Sequence, residues 1–148
     1  MQPDDYTSVG SEEQTRWVTV TLDDVSRIAA GLPGAEERAM SQGQRTWFVR
    51  SKYFAWESWP WPSEHPRVRE LLKTEQLLGV KLPGDDELRA LVEGWPDVFI
   101  PSAVSWGGPK VTIRLTAIDE QHLREIVAEA WYTQAPKYLR KEFDVELG

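Results

Sequence analysis

The sequence predicts a two-layer α+β protein, in which helices cover one face of an antiparallel five-stranded sheet in the order α-β(3)-α-β(2)-α. Three observations lead to this prediction. Apolar residues recur with helical spacing near both ends of the chain, whereas several segments between them are rich in aromatic and β-branched residues. The connections between the predicted strands are short, which favours antiparallel pairing. One strand, at 110–116, alternates apolar with polar residues, as expected when one sheet face is core and the other is solvated.

The first predicted element is a helix that begins after Thr21. Thr21 and Asp24 have the spacing of a capping box, with Asp in place of the usual Glu. The apolar residues from there to Leu32 lie on one helical face. Pro33 and Gly34 end the helix, because proline cannot continue it and glycine accepts the reversed backbone.

Three strands follow, two of them joined tightly. The first two are aromatic and β-branched, and only Lys52 separates them. Trp59-Pro60-Trp61-Pro62 ends the second strand, since consecutive prolines cannot donate to a ladder. A short helix or structured loop is expected at 63–74. The predicted strands cover residues 45–51, 53–58 and 76–82.

The second half of the chain again contains segments with helical spacing and segments that predict strands. A short helix is predicted at 85–93, with acidic residues in its first turn, where the helix dipole favours them. Two strands follow, at 98–100 and 110–116. The last long helix begins near Asp119, and Pro136 divides it before 137–143.

Length and composition limit the class of protein. The chain has 148 residues, no cysteine and a formal net charge of −7. Disulfides, thiol nucleophiles and iron–sulfur ligands are therefore excluded. No apolar run approaches the roughly 20 residues of a membrane span, and the first residues lack the regions of a signal peptide. We expect a cytoplasmic protein without membrane contacts. Residues 1–16 are polar and acidic and predict a disordered tail, followed by a single domain at 17–148.

Patterns typical of enzymes are missing from the sequence. It contains no G-x-S-x-G turn, P-loop or dinucleotide fingerprint. His122 lies one helical turn after Asp119, a spacing that two metal ligands can use, but no further ligand is evident and a helix start explains the pair. His65 lies in a predicted loop, where solvation is the simpler interpretation. We therefore expect no catalytic residues, no metal and no cofactor, and hence a protein that is not an enzyme.

The charge is unevenly distributed along the chain. Residues 41–84 carry a net +3 and residues 98–118 a net +2, whereas the other segments are all acidic. A solvent-exposed sheet face built from the two basic segments would form a positive patch on a protein of negative net charge. An ordinary scatter of charged residues over the surface explains the same segment charges. The candidate residues for contacts with nucleic acid are Arg45, Arg50, Lys52, Lys81, Lys110, Arg114, Lys137, Arg140 and Lys141.

Tryptophan is unusually frequent, with eight residues in the chain. Trp131 and one of Trp47 or Trp56 are expected to fill the core, as large rings do well. The Trp-Pro-Trp-Pro frame is extended and alternates its rings, so that Trp59 or Trp61 is a candidate for exposure. The candidate residues for contact with a partner or ligand are Trp47, Trp59, Trp61 and Trp106.

Several segments in order resemble the MmcQ/YjbR family of small bacterial proteins. The matching segments are 21–25 with 32–34, 46–48, 52–55, 80–83, 110–115 and 135–139. The resemblance covers residues 20–143 and implies the same α-β(3)-α-β(2)-α fold, together with a DNA-binding role through a wing-like sheet surface. The chain departs from the family pattern by an insertion at about 59–73 and by the acidic tail before Trp17.

Three functions are compatible with these features. The first is a non-enzymatic binding protein that contacts DNA through the basic strands. The second is a protein-interaction or chaperone-like adaptor that uses Trp59 and Trp61, and the resemblance of such folds to secretion chaperones implies self-association. The third is a domain with an aromatic pocket for a small ligand between sheet and helices.

Overall fold

A computed structural model describes residues 19–103 and 107–147, which form five helices and six strands. The helices are α1 (Leu22–Ala30), α2 (Pro66–Leu71), α3 (Asp85–Gly94), α4 (Glu120–Gln134) and α5 (Lys137–Leu147). The strands are β1 (Ala35–Ala39), β2 (Arg45–Val49), β3 (Lys52–Glu57), β4 (Leu77–Lys81), β5 (Phe99–Pro101) and β6 (Lys110–Arg114). The tail predicted at 1–16 lies outside the described residues.

The strands form one antiparallel sheet in the order β1-β2-β3-β4-β6-β5. The α+β class and the antiparallel sheet are confirmed, but the sheet has six strands instead of the predicted five. The additional strand is β1, whose sequence Ala-Glu-Glu-Arg-Ala carries no apolar alternation. It lies at the sheet edge with four of its five residues exposed. Because so little of the strand is buried, its sequence has no apolar pattern.

The main core lies between one face of the sheet and the helices α1, α3, α4 and α5. Trp131 of α4 is fully buried there, and its indole Nε1 donates to the carbonyl oxygen of Pro33 at 2.9 Å. This confirms the expectation that Trp131 fills the core. Trp47 of β2 is buried on the same face, with 1% of its surface exposed.

The opposite face of the sheet is partly covered by the segment between β3 and β4. Val68 of α2 packs against Leu77 of β4 and Ile100 of β5 in a second, smaller apolar cluster. Because neighbouring residues of a strand point to opposite faces, Leu77 and Ile100 face away from the main core, to which Leu78 and Phe99 belong. The short helix α2 therefore lies on the other side of the sheet from the remaining helices.

The start of α1 follows its sequence signature. The Thr21 hydroxyl accepts from the Asp24 backbone N–H, and the Asp24 carboxylate accepts from the Thr21 N–H at 2.7 Å, which completes the capping box. Burial alone would raise the pKa of Asp24, but hydrogen bonds from Arg27 and Thr21 outweigh it and lower the pKa. The cap fixes the point at which the chain enters the core.

Candidate functional site: an aromatic pocket on the second sheet face

An aromatic pocket of about 380 Å³ opens on the sheet face opposite the main core. Its walls come from the β1–β2 turn, from β2 and β3, and from the segment after β3. The pocket is lined by Met40, Ser41, Gln42, Gln44, Thr46, Phe48, Tyr53, Trp56, Glu57 and Trp61. Four aromatic rings and a few polar groups in a volume of this size are typical of a site for a small organic molecule.

The pairing of β2 with β3 brings the rings together. Phe48 is the register partner of Tyr53, and Thr46 is the register partner of Trp56, so that all four side chains share one face. An irregularity in the register between Trp47 and Phe48 turns the strands at this point. The Tyr53 ring meets the Trp56 ring edge to face at a centroid distance of 5.5 Å. These contacts hold the pocket wall in shape.

Gly79 of β4 makes room for the ring of Trp56. Trp56 and Gly79 are register partners on neighbouring strands. A Cβ atom added to Gly79 would overlap the indole, with the Trp56 Cζ2 atom only 2.8 Å away. The indole therefore lies flat across the backbone of β4, which only glycine permits.

Lys81 and Lys110 lie on this same sheet face, further along β4 and β6. They are register partners and are only 8% and 4% exposed. The Lys110 Nζ donates to the carbonyl oxygen of Gly108 at 2.8 Å. The Lys81 Nζ lies 5.9 Å from the centroid of the Tyr53 ring. Burial lowers the pKa of both amines, and the charge of Lys81 lowers that of Lys110 further.

Two other predicted basic residues form ion pairs with carboxylates. Arg45 donates to Glu37 at 2.7 Å and to Asp23 at 2.9 Å on the helix-covered face. The hydrogen bond from Arg45 is the main cause that lowers the pKa of Glu37. Arg114 donates to Glu75, whose side chain is 12% exposed, at 3.1 Å. These two guanidinium groups already have carboxylate partners within the protein.

The remaining predicted basic residues lie at one end of the molecule. Arg50 and Lys52 flank the β2–β3 turn, where Arg50 adopts a left-handed φ of 58°. Leu139 of α5 lies close to Gly34 at the entrance of β1, beside the end of β2. This contact brings the start of α5 to the same end of the sheet. The other candidates on α5 are Lys137, Arg140 and Lys141; the two lysines are exposed, and Arg140 donates to the carbonyl oxygen of Ala135.

The predicted tryptophan sites separate in the structure. Trp61 lines the pocket, whereas Trp59 is partly buried and is not among the lining residues. Trp47 is buried in the main core, which places its ring on the other side of the sheet from the pocket. Trp106 lies outside the described residues. Sequence reasoning assigned no ligand role to Phe48, Tyr53 or Trp56; the signal available for them was their alternation within two strands joined by a tight turn.

The two histidines have structural partners. His65 Nδ1 accepts from the Arg67 N–H at 3.1 Å and so caps α2. His122 packs edge to face against Trp95 at 4.9 Å, while its backbone N–H donates to Asp119. Within the ranges 19–103 and 107–147, no group of three His, Asp or Glu side chains is placed to hold a metal ion. In the same ranges, no helix combines the length and apolar character needed to cross a bilayer.

Fold and pocket define the class of protein: a small α+β protein whose sheet carries a helix-covered face and a second face with an aromatic pocket. The YjbR family model matches residues 30–133, about two-thirds of the chain. Two curated relatives, uncharacterized protein Mb2600 of Mycobacterium bovis and uncharacterized protein Rv2570 of Mycobacterium tuberculosis, are each 33% identical over 131 residues. Each match spans 86% of this chain and 98% of the relative. The chain belongs to the YjbR family.

A solved structure supports the fold. The crystal structure of Deinococcus radiodurans protein DR2400 is similar to this chain with a TM-score of 0.59 and 17% sequence identity. The similarity covers 82% of this chain and 86% of that one. The family model confirms the family resemblance inferred from the sequence, and the solved structure shows that the fold extends to a protein of low sequence identity.

Proposed function

We propose that the protein is a non-enzymatic binding protein that holds a small planar organic molecule in the aromatic pocket. The observation that carries this proposal is the set of four rings around a volume of about 380 Å³. Pockets of this size bury most of a small ligand, and aromatic walls favour planar, apolar groups. The hydroxyl of Thr46 and the side chains of Gln42 and Gln44 supply polar groups that orient such a ligand.

The pocket is assigned to a small molecule for a structural reason. Its walls are concave and come from elements with dense internal contacts, including the edge-to-face pair of Tyr53 and Trp56. Trp61 closes one side from the segment after β3. A ligand between the rings gains stacking contacts without a large rearrangement of the sheet.

The test is a thermal-shift screen of planar aromatic compounds, such as nucleobases, nucleosides and aromatic acids. A ligand at 100 times its Kd stabilises the folded state by about 2.7 kcal/mol, which corresponds to a rise in Tm of several degrees for a chain of this size. Trp61→Ala should abolish the shift. Trp95→Ala is the matched control, because Trp95 is 49% exposed and does not line the pocket. A screen with no stabilising compound, or a hit that binds Trp61→Ala equally well, would contradict the proposal.

The second candidate function is contact with DNA through the end of the sheet that carries Arg50, Lys52 and the lysines of α5. Within the described part of the chain, Arg50 and Lys52 form no ion pair, so both charges are available to phosphates. About four such contacts give a slope of about −3 to −4 in a plot of log K against log salt concentration. Labelled duplex should therefore bind at ~50 mM salt and weaken steeply by ~200 mM. The variant Arg50→Glu with Lys52→Glu should lose binding, whereas Lys73→Glu, on an exposed lysine beside α2, should retain it.

A further inference from the structure

We propose that Lys81 is a carbonyl-reactive amine that captures an aldehyde or ketone reversibly as an imine. This proposal does not rest on a ligand in the aromatic pocket, because Lys81 does not line that pocket, although the two sites share Tyr53. It concerns the two lysines that face each other across β4 and β6. A lysine becomes nucleophilic at neutral pH when it is desolvated or lies next to another cationic group. Both conditions are met here.

The paired lysines are buried on a face with little compensating charge. Lys81 and Lys110 are register partners, and side chains directly opposite each other on antiparallel strands lie close together. They retain only 8% and 4% of their surface. Two ammonium groups at this separation repel each other, and removal from water disfavours both. One proton therefore leaves the pair more easily than it leaves an exposed lysine.

The neighbouring groups do not compensate the positive charge of the two lysines. Glu64, from the segment before α2, raises the pKa of Lys110, but burial and the charge of Lys81 outweigh this effect. The Glu64 carboxylate is itself engaged, because it accepts from the Ala103 N–H at 2.8 Å, from the His65 N–H at 2.8 Å and from the Ser102 hydroxyl. Tyr53 is a further titratable neighbour of Lys81, and burial raises its pKa. Its phenol therefore stays neutral at pH 7.

The geometry assigns the nucleophile to Lys81, because the Tyr53 hydroxyl flanks its amine, whereas the Lys110 Nζ is held by the Gly108 carbonyl. Lys110 Nζ donates to the Gly108 carbonyl at 2.8 Å, which favours its charged form. Within residues 19–103 and 107–147, the Lys81 Nζ has no hydrogen-bond partner. Its lone pair is thus available once the proton has left. Desolvation is the cause that lowers the pKa of Lys81.

Gly107 brings a proton donor next to this amine. Gly107 has a φ of +84°, and a Cβ atom there would lie 2.6 Å from the Tyr53 hydroxyl and 3.2 Å from the Lys81 Nζ. The two functional groups therefore flank one point of the backbone. A neutral phenol beside the amine can protonate the oxygen that leaves during imine formation.

The reaction balances without an oxidant or reductant. The lone pair of the neutral Lys81 amine attacks the carbonyl carbon, the C–N bond forms as the C=O π bond breaks, and one nitrogen proton moves to the oxygen to give a neutral carbinolamine. The C–O bond then breaks as the oxygen takes the Tyr53 phenol proton, which releases one water molecule and leaves an iminium ion beside the phenolate. The iminium nitrogen returns its proton to the Tyr53 phenolate, which gives the imine and restores the phenol. Addition of water reverses each step, so the capture is reversible.

The test uses the full-length protein with propanal and cyanoborohydride at pH 7, which reduces an imine to a stable secondary amine. Peptide mass spectrometry then gives the rate of propylation at each lysine. We expect Lys81 to react severalfold faster than the exposed Lys52, because a lowered pKa leaves a larger fraction of the Lys81 amine neutral at pH 7. Lys81→Arg should remove the fast site and leave the rate at Lys52 unchanged.

A pH profile separates a reactive amine from a merely accessible one. The propylation rate at Lys81 should reach half its maximum at a lower pH than the rate at Lys52. Lys110→Gln and Lys110→Arg should both leave that midpoint below the midpoint at Lys52, because burial is the cause that lowers the pKa of Lys81. Slower or equal labelling of Lys81 in folded wild-type protein, including a complete lack of label, would overturn the proposal. The Trp61→Ala variant should label normally, so this result is separate from the fate of the pocket.

Discussion

The contact between Trp56 and Gly79 predicts a large effect for a very small substitution. In Gly79→Ala, the new methyl group would occupy the space of the indole, whose Cζ2 atom lies 2.8 Å from the position of the Cβ. β4 is an interior strand paired with β3 and β6, so its backbone cannot move away. The ring must rotate out of its place instead. Overpacking of this kind costs about 1–3 kcal/mol, and a rigid bicyclic ring against a fixed backbone belongs at the upper end.

The expected loss is therefore about 3 kcal/mol in the free energy of unfolding. A chain of 148 residues unfolds with an entropy of about 0.3 kcal/mol/K, so Tm should fall by about 10 °C. Urea unfolding followed by far-UV circular dichroism measures the loss without relying on tryptophan fluorescence. Gly94→Ala is the matched control: a Cβ at Gly94 meets no atom within 4 Å, so the variant should lose no stability.

A double-mutant cycle tests the physical reason. In a Trp56→Ala background the obstacle is gone, so Gly79→Ala should cost nothing and gain up to about 1 kcal/mol from the reduced freedom of the unfolded chain. The coupling between the two positions should reach about 3 kcal/mol. If Gly79→Ala costs the same with and without the indole, the steric argument is refuted.

Three further predictions concern charged groups. Arg45 lowers the folded-state pKa of Glu37, so the stability from this pair is present above the ordinary pKa of 4.5 and is lost as pH falls through the folded-state pKa. Glu37→Gln should therefore reduce the fall of the urea midpoint with decreasing pH on the acid side of a stability profile. Lys81→Met should raise the free energy of unfolding at pH 7 by about 1 kcal/mol, because it removes a desolvated ammonium. Since the folded-state pKa of Lys81 is lowered, wild-type stability rises with pH toward 10.5, and the advantage of the methionine variant should shrink over that interval in denaturation at several pH values. Glu75→Ala should destabilise by about 3 kcal/mol by leaving the partly buried Arg114 without its carboxylate, whereas Glu75→Gln should cost less; equal losses in chemical denaturation would contradict this.

Most of the fold could be predicted from local patterns. The helix capped by Thr21 and the alternating strand β6 carry their signatures in adjacent residues, and the structure has both where they were expected. β1 could not be found this way, because an edge strand with exposed Glu36, Glu37 and Arg38 has no apolar pattern to distinguish it from a loop. Its formation depends on pairing with β2, which is a tertiary contact.

The site was predictable only in part, because it depends on which strand faces meet. Trp61 was a candidate from its frame of prolines and does line the pocket. The register that joins Phe48 to Tyr53 spans an irregular pairing, and no short-range rule fixes it. The sequence likewise placed Lys81 and Lys110 among solvent-facing candidates on a wet strand face. Packing on that face buries them instead, and this packing involves residues distant in sequence.

Glu64 connects two segments that lie 38 residues or more apart in the chain. Its carboxylate, in a side chain that is only 5% exposed, holds Ser102 and Ala103 just after β5 as well as the entrance to α2. Neither segment can open without breaking hydrogen bonds to the same buried charge. The two segments therefore belong to one cooperative unfolding unit, and the backbone amides of His65 and Ala103 should exchange with deuterium at matching rates. The covering of the second sheet face thus opens as a unit.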